Sequence, residues 1–211
     1  MIQGKLLLFC GPSGSGKTTI VHHLLQKNPR IEFSVSATTR PQRANEVDGK
    51  DYHFISVEDF KKRIANDEFV EWEEVYTDRF YGTLKSEIER IWNDHKVAIF
   101  DVDVEGGLKI KKIFGQMLLA VFVMPPSVEA LHQRLHARNS ETAESFKARI
   151  AKSEHEIAYA FRFDKVIIND NLDHALEEAE KLVDDFLLRC PPDQAGRSRQ
   201  GGPHPGLEIA R

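Results

Sequence analysis

The sequence predicts an α/β fold, in which a parallel sheet with helices on both faces carries a small inserted lobe. Short, continuous apolar runs alternate with longer segments of helical period, as expected for strands that are buried on both faces. A glycine-rich segment follows the first apolar run directly and opens a helix. Residues 31–87 interrupt this alternation with closely spaced strands of alternating polarity, which are typical of a small mixed sheet.

The core is expected to contain four strands and five helices. The strands are predicted at Lys5–Cys10, Val97–Asp103, Leu118–Met124 and Lys165–Asn169. The helices are predicted at Thr18–Gln26, Leu108–Phe114, Glu129–Arg138, Glu144–Phe161 and Leu172–Leu188. Because strands alternate with helices, a parallel sheet is the expected arrangement.

The inserted part is predicted to contain three strands and one helix. The strands are FSVSA, DYHFIS and FVEWEEV, and the helix is Val57–Asn66. Ser56 with Asp59 three residues later predicts a capping box for this helix.

Length and composition exclude several classes of protein. The 211 residues suffice for one compact core with an insertion, so no disulfide or metal is needed to stabilise it. The two cysteines, Cys10 and Cys190, lack metal-ligand spacing. No apolar stretch approaches the ~20 residues of a membrane span, and the N-terminus lacks the features of a secretory signal. With a net charge of −4, the chain has no general attraction to nucleic acid. We therefore expect a cytoplasmic protein without nucleic-acid or membrane partners.

Residues 11–18 match the pattern G-x-x-x-x-G-K-[ST] of a phosphate-binding loop, between a predicted strand and a predicted helix. Glycines let backbone N–H groups approach a phosphate chain, and the helix N-terminus adds partial positive charge. Lys17 is suited to neutralise the β- and γ-phosphates of a nucleoside triphosphate, and the Thr18 hydroxyl to bind Mg²⁺. The predicted triphosphate site consists of Gly11, Pro12, Ser13, Gly14, Ser15, Gly16, Lys17, Thr18 and Thr19. The alternative is a glycine-rich turn with a chance lysine.

A second anion-binding element is predicted in the inserted part. Arg40 and Arg43 lie three residues apart across Pro41, whose ring stiffens the loop. Paired guanidinium groups bind a phosphate dianion better than lysines do, and the Tyr52 phenol could donate to the same phosphate. Taken alone, two such arginines are more often solvated surface charges.

Asp101 and Asp103 are predicted at the C-terminal end of a buried strand, where α/β sheets place ligand sites. Their spacing of two residues predicts that both lie on one face of that strand. They are candidates to hold the water shell of Mg²⁺, and the alternative is a pair of carboxylates in an exposed turn.

Several ordered motifs, spread over residues 4–188, resemble guanylate kinase. They are SATTRPxRxxExDGxDYxFIS at 36–56, EFVEW, FYGT, FDVD, MPPSVEALHQRL and VIIND, in addition to the phosphate-binding loop. The resemblance implies transfer of the γ-phosphoryl group of ATP to GMP, with Mg²⁺, in purine nucleotide metabolism. It leaves open whether GMP or dGMP is preferred and whether the protein is a monomer or a homodimer.

The resemblance also implies a division of the chain into three functional parts. The core would comprise residues 1–33, 88–134 and 153–190, the GMP-binding lobe 34–87, and a helical lid 135–152. Residues 191–211 are rich in Gly and Pro and poor in apolar residues, which predicts a disordered tail.

The same resemblance assigns residues to the substrates. Ser36, Arg40, Arg43, Glu46, Tyr52 and Tyr81 would bind the GMP phosphate or shape its pocket, and Ser36, Glu71, Thr83 and Asp101 would bind guanine. Arg134, Arg138 and Arg149 would fold over the transferring phosphoryl group, and Asn169 would lie near the ATP adenine. Together with Lys17, the five arginines Arg40, Arg43, Arg134, Arg138 and Arg149 are the expected catalytic cations.

Three departures from the family pattern bear on this site. The loop before Tyr81 is one residue longer than usual, Glu105 stands where glutamine is common, and Asn139 replaces a glycine. None of them removes a cationic group.

Two other functions fit parts of the sequence. One is a non-catalytic guanylate-kinase-like module that binds phosphorylated peptides, against which the intact loop with Lys17 argues. The other is a kinase that acts on a phosphorylated sugar, against which Glu71, Ser36 and Thr83 argue because they favour guanine.

We expect the tail to be dispensable. A chain that ends at Arg189 should keep the thermal midpoint and the kcat/KM of the full-length protein, since residues 191–211 lack the apolar area needed for docking. Thermal unfolding and steady-state kinetics of the two lengths test this, and a loss of several degrees would contradict it.

Overall fold

The computed structural model describes residues 4–136 and 143–189, and only the backbone of 143–149. The strands are β1 Leu6–Cys10, β2 Ile31–Phe33, β3 Ala37–Thr38, β4 His53–Phe54, β5 Phe69–Tyr76, β6 Arg79–Leu84, β7 Val97–Asp101, β8 Leu118–Met124 and β9 Lys165–Ile168. The helices are α1 Lys17–Lys27, α2 Val57–Ala65, α3 Lys85–Asn93, α4 Val104–Phe114, α5 Val128–His136, α6 Ala143–Ile157 and α7 Leu172–Leu188.

The core sheet is parallel throughout, with the strand order β2-β7-β1-β8-β9. Alternate residues of its central strand pack on opposite faces: Leu7 and Phe9 contact the side of α1 and α7, whereas Leu6 and Leu8 contact the side of α3 and α4. Strands buried on both faces therefore account for the continuous apolar runs in the sequence. The C-terminal ends of these strands all meet at one edge of the sheet, where α/β proteins bind ligands.

The second sheet is small and mixed, with the order β4-β3-β6-β5, a parallel β3–β4 pair and two antiparallel pairs. Its own apolar core is centred on Phe60 of α2, whose ring stacks on Phe69 with centroids 4.3 Å apart. The Ser56 hydroxyl accepts from the Asp59 backbone N–H and donates to the Asp59 carboxylate, and so caps α2. The predicted mixed sheet is therefore confirmed, as is the α/β fold class.

Several elements differ from the sequence-based prediction. The segment FSVSA is not one strand, because Phe33 ends β2 in the core sheet and Ala37 begins β3 in the second sheet. Neither strand β6 nor helix α3 was predicted. Helix α4 begins at Val104 rather than Leu108, and β7 ends at Asp101 rather than Asp103, because the Asp103 side chain accepts from the Gly106 N–H and caps the helix.

The C-terminal end of one helix also differs. Helix α6 ends at Ile157 and is followed by a 3₁₀ turn at Ala160–Arg162, where a helix to Phe161 was predicted. Within the described ranges, no helix is long and apolar enough to cross a bilayer. The predicted tail, Cys190, Arg138 and Asn139 lie outside the described residues, as does the side chain of Arg149.

Candidate active site

The phosphate-binding loop joins β1 to α1 and requires glycine at two positions. Gly11 has φ of 142°, and a Cβ there would lie 2.3 Å from the Val123 carbonyl oxygen. Gly16 has φ of 98°, and a Cβ there would lie 2.2 Å from the amide nitrogen of Asn169. The backbone conformation, together with the close approach of the Val123 backbone or the Asn169 side chain, therefore excludes a side chain at each position.

The Lys17 ammonium is held at the mouth of this loop. It donates to the carbonyl oxygens of Gly11 at 2.8 Å and Pro12 at 3.2 Å. A phosphate chain bound to the backbone N–H groups of the loop would therefore lie beside a fixed positive charge.

Asp101, at the end of β7, and Asp103, just beyond it, contact different residues. The Asp101 carboxylate accepts from the Thr18 hydroxyl at 2.7 Å, whereas Asp103 is the cap of α4 and receives Lys152 Nζ at 3.4 Å. The prediction that both lie on one face of the strand is wrong, because Asp103 lies beyond the strand end. The hydroxyl and carboxylate oxygens of Thr18 and Asp101 form a donor set that suits Mg²⁺.

A cavity of about 410 Å³ opens in front of the loop. Asp101, Asp103 and the loop residues line it, and so do residues that the sequence analysis missed, among them Tyr76, Lys152 and Glu156. Burial raises the pKa of Glu156 to about 7. Lys152 and Glu156 follow Arg149, a predicted site residue, by three and seven positions on α6. This helical spacing was the sequence signal that could have indicated both residues.

Arg134 and Asn169 close the other side of the loop. The Asn169 side-chain amide donates to the Ser15 carbonyl at 2.8 Å, and the Asn169 backbone carbonyl accepts from the Arg134 guanidinium at 2.9 Å. Two residues predicted for different functions, a catalytic cation and an ATP contact, are thereby brought together on the loop itself.

In the second sheet, four of the residues predicted for the GMP phosphate form one cluster. The Arg40 guanidinium makes a bidentate pair with Glu46, at 2.7 and 2.6 Å, and lies over the Tyr52 ring at 4.9 Å. The Tyr81 ring meets the Tyr52 ring edge-on, with centroids 5.9 Å apart. The hydrogen bonds from Arg40 lower the pKa of Glu46 to about 2, so its charge is retained at physiological pH.

Arg43 stands apart from this cluster. Its backbone N–H donates to Glu46 at 2.9 Å, but its side chain is 77% exposed. Ser36 is half-buried, and its carbonyl oxygen accepts from the His53 N–H at 2.9 Å.

Glu71 is a buried carboxylate opposite Thr83 in the β5–β6 pair, and it accepts from the Thr83 hydroxyl at 2.8 Å. Burial raises its pKa. A Cβ at Gly106 would lie 3.2 Å from Glu71 Oε2 and 3.3 Å from Asp103 Oδ1, so the missing side chain leaves room where two carboxylates converge. The sequence analysis did not assign Asp103 and Gly106 to the base site. The sequence signal for this close approach was the pair of glycines at 106 and 107 inside a helix.

Of the departures from the family pattern, the longer loop before Tyr81 has a local structural explanation, and Glu105 has a definite neighbour. A β-bulge between Glu74 and Tyr76 takes up the additional residue before Tyr81, which stays paired with Glu73 and Thr38. Glu105 lies beside Glu73. Burial raises the pKa of Glu73 to about 7, and the charges of Asp103 and Glu105 add to this rise.

A phosphate-binding loop on a parallel sheet, beside a second sheet that bears a carboxylate and an arginine–tyrosine cluster, defines a P-loop kinase of the nucleoside monophosphate type. A family model described as guanylate kinase matches residues 3–186. The chain belongs to the guanylate kinase family.

Relatives and solved structures agree. The guanylate kinase of Bacteroides fragilis strain YCH46 is 49% identical over 185 residues, which cover 88% of this chain and 91% of that protein. The guanylate kinase of Porphyromonas gingivalis is 46% identical over 186 residues, covering 88% and 99%. The crystal structure of guanylate kinase from Anaplasma phagocytophilum superposes with a TM-score of 0.72 at 26% identity, covering 90% and 89% of the two chains. The predicted family and enzyme class are therefore confirmed, and neither alternative function is favoured.

Proposed function

We propose that this protein transfers the γ-phosphoryl group of ATP to the phosphate of GMP, giving ADP and GDP, and that the reaction requires Mg²⁺. A phosphate oxygen of GMP forms the new bond to the γ-phosphorus, and the bond from that phosphorus to the bridging oxygen of ADP breaks. Because GMP brings its own nucleophile, the protein needs to supply positioning and positive charge rather than a nucleophilic side chain.

The observation that carries this proposal is the placement of Thr83 and Tyr81 on one face of β6. They are two residues apart, and alternate residues of a strand face the same side. The Thr83 hydroxyl donates to the buried Glu71 carboxylate. The Tyr81 ring contacts the Tyr52 ring, over which the Arg40 guanidinium lies. One face thus offers an acceptor site for a base and, about 7 Å along the strand, cationic and phenolic donors for a phosphate.

On the core side, residues 11–19 would bind the ATP phosphates, and Lys17 and Arg134 would contact the transferring phosphoryl group. Arg138 and Arg149 complete the set of cations that the resemblance implies. Thr18 and Asp101 would hold Mg²⁺, which when bound neutralises charge on the β- and γ-phosphates. Asn169 positions the loop through Ser15.

On the GMP side, we assign the phosphate to Arg40, Arg43, Tyr52 and Tyr81, with Glu46 orienting the Arg40 guanidinium and accepting from the Arg43 backbone N–H. The base is assigned to Glu71, Thr83 and Ser36. The convergence at Gly106 favours Asp103 over Asp101 as the further carboxylate on the base, since Asp101 already pairs with Thr18.

The proposal retains the division into a core, a GMP lobe at 34–87 and a lid at 135–152. Closure of the lobe and lid around both nucleotides would exclude water from the transferring group. A cytoplasmic location is part of the proposal because ATP and GMP are both available there.

A panel of acceptors tests the proposal directly. With ATP and Mg²⁺, we expect rapid ADP formation with GMP, slow formation with AMP, and none with a phosphorylated sugar. Binding of a phosphorylated peptide without any turnover of GMP would overturn the proposal in favour of a recognition module.

A further inference from the structure

The chain passes between the two sheets twice, and one side chain contacts both crossings. Residues 34–36 connect β2 to β3, and the junction of β6 with α3 leads back to the core. Glu87 lies in the first turn of α3, at the second crossing, and its Oε2 accepts from the Val35 N–H of the first crossing at 3.2 Å.

The Glu87 carboxylate is buried, at 8% exposure, and its charge is compensated from the core. Arg90 donates to it twice, at 3.0 and 3.2 Å, and donates also to Glu32 of β2 at 2.5 Å. The hydrogen bonds to Glu87 and Glu32 raise the pKa of Arg90, so the guanidinium stays charged. The Arg90 side chain is 45% exposed, so the carboxylate is the buried member of this pair and the guanidinium reaches solvent.

The second sheet also reaches Glu87. His53 Nε2 of β4 lies 3.8 Å from Glu87 Oε1, and the His53 backbone N–H donates to the Ser36 carbonyl. Glu87, Val35, Ser36 and His53 therefore form a closed ring of contacts across the junction. Its members adjoin residues assigned to GMP, since Ser36 is in the ring itself and Tyr52 precedes His53.

We propose that Glu87 is a positioning residue for the GMP side of the reaction: by joining the two crossings, it sets the orientation in which Ser36 and Tyr52 face the phosphate-binding loop. This inference rests on the proposed phosphorylation of GMP. Glu87 touches neither substrate, and its effect is transmitted through Val35 and His53. The ATP site, which is built on β1, α1 and β9, is independent of the ring.

Kinetics of Glu87→Ala and Glu87→Gln test the inference, with Glu89→Ala and Glu89→Gln as matched controls. Glu89 is exposed on the same helix, so the charge change is the same. We expect Glu87→Ala to raise the KM for GMP about 10-fold, the effect of roughly one hydrogen bond, and to leave the KM for ATP within about 2-fold. Glu87→Gln should have a smaller effect, because its amide oxygen can still accept from Val35. The Glu89 variants should match the unsubstituted protein.

Amide hydrogen exchange provides a readout that does not depend on activity. Exchange at Val35 should accelerate in Glu87→Ala, which removes the acceptor, and not in Glu89→Ala. Equal changes in both KM values, a lowered thermal midpoint without a change in the KM for GMP, or unchanged exchange at Val35 would overturn the inference. If the unsubstituted protein fails to phosphorylate GMP, the proposed function fails, and the exchange experiment still decides whether Glu87 joins the two crossings.

Discussion

Lys17→Met is expected to lower kcat by about 10²–10³-fold, the cost of losing one preorganised donor to the transition state. The Lys17 ammonium is fixed at the loop by the carbonyl oxygens of Gly11 and Pro12, so it needs no reorganisation as charge develops on the transferring group. The fold should survive, because the two hydrogen bonds that are lost lie within the phosphate-binding loop.

Steady-state kinetics with saturating ATP and GMP measure this effect, and thermal unfolding reports on the fold. Lys112→Met is the matched control, since it removes the same charge from an exposed position on α4. Turnover of Lys17→Met close to that of the control would show that another cation neutralises the β- and γ-phosphates.

Glu71→Gln is expected to lower kcat/KM for GMP by roughly 10–100-fold, the worth of one charge-assisted hydrogen bond. Guanine presents an N1–H beside an exocyclic amine, and a carboxylate accepts from both, whereas adenine presents an acceptor at N1. Sites that hydrogen-bond a substrate group reject analogues lacking it by ~10⁴ or more. AMP turnover should therefore fall less than GMP turnover in the variant, or rise slightly.

The experiment compares both nucleotides in the unsubstituted protein, in Glu71→Gln and in Glu74→Gln. Glu74 lies on the same strand but is exposed, so it controls for the loss of charge. An unchanged ratio of GMP to AMP turnover in Glu71→Gln would mean that the base is recognised elsewhere.

The pH dependence of stability gives this second prediction an independent check. Burial raises the pKa of Glu71 above its ordinary value of 4.5, so the folded state holds this proton more tightly than the unfolded chain does. The resulting stabilisation is full below pH 4.5 and is lost as pH rises through the folded-state pKa. The thermal midpoint of the unsubstituted protein should therefore rise relative to that of Glu71→Gln as pH is lowered.

The sequence by itself determined the features that depend on local order. The loop at 11–18 carries its own glycines, lysine and threonine in eight consecutive residues, and its position between a strand and a helix is also local. Strand Leu118–Met124 and helix Leu172–Leu188 match their predicted bounds, because an apolar run and an amphipathic period are each complete within one segment.

Only the tertiary structure decided features that join distant segments. Nothing near Phe33 indicates that the chain leaves one sheet there and enters another at Ala37, because the change depends on pairing of β2 with β7. Glu87 and Val35 are 52 residues apart in sequence. Glu87 lies in a helix that the sequence analysis did not predict, and its burial arises only when the two crossings and Arg90 are brought together.

The same reason separates the two aspartates of FDVD. Their spacing placed both on one strand face, but capping of α4 takes Asp103 out of the strand and directs it to Glu71, while Asp101 stays with Thr18. The hydrogen bond from the Gly106 N–H to the Asp103 side chain starts helix α4, and this capping competes with extension of strand β7. Strand β5 approaches α4 at Gly106, and this approach brings the Glu71 and Asp103 carboxylates together. Local sequence patterns therefore identified the candidate site residues, and long-range packing decided which of them share a site.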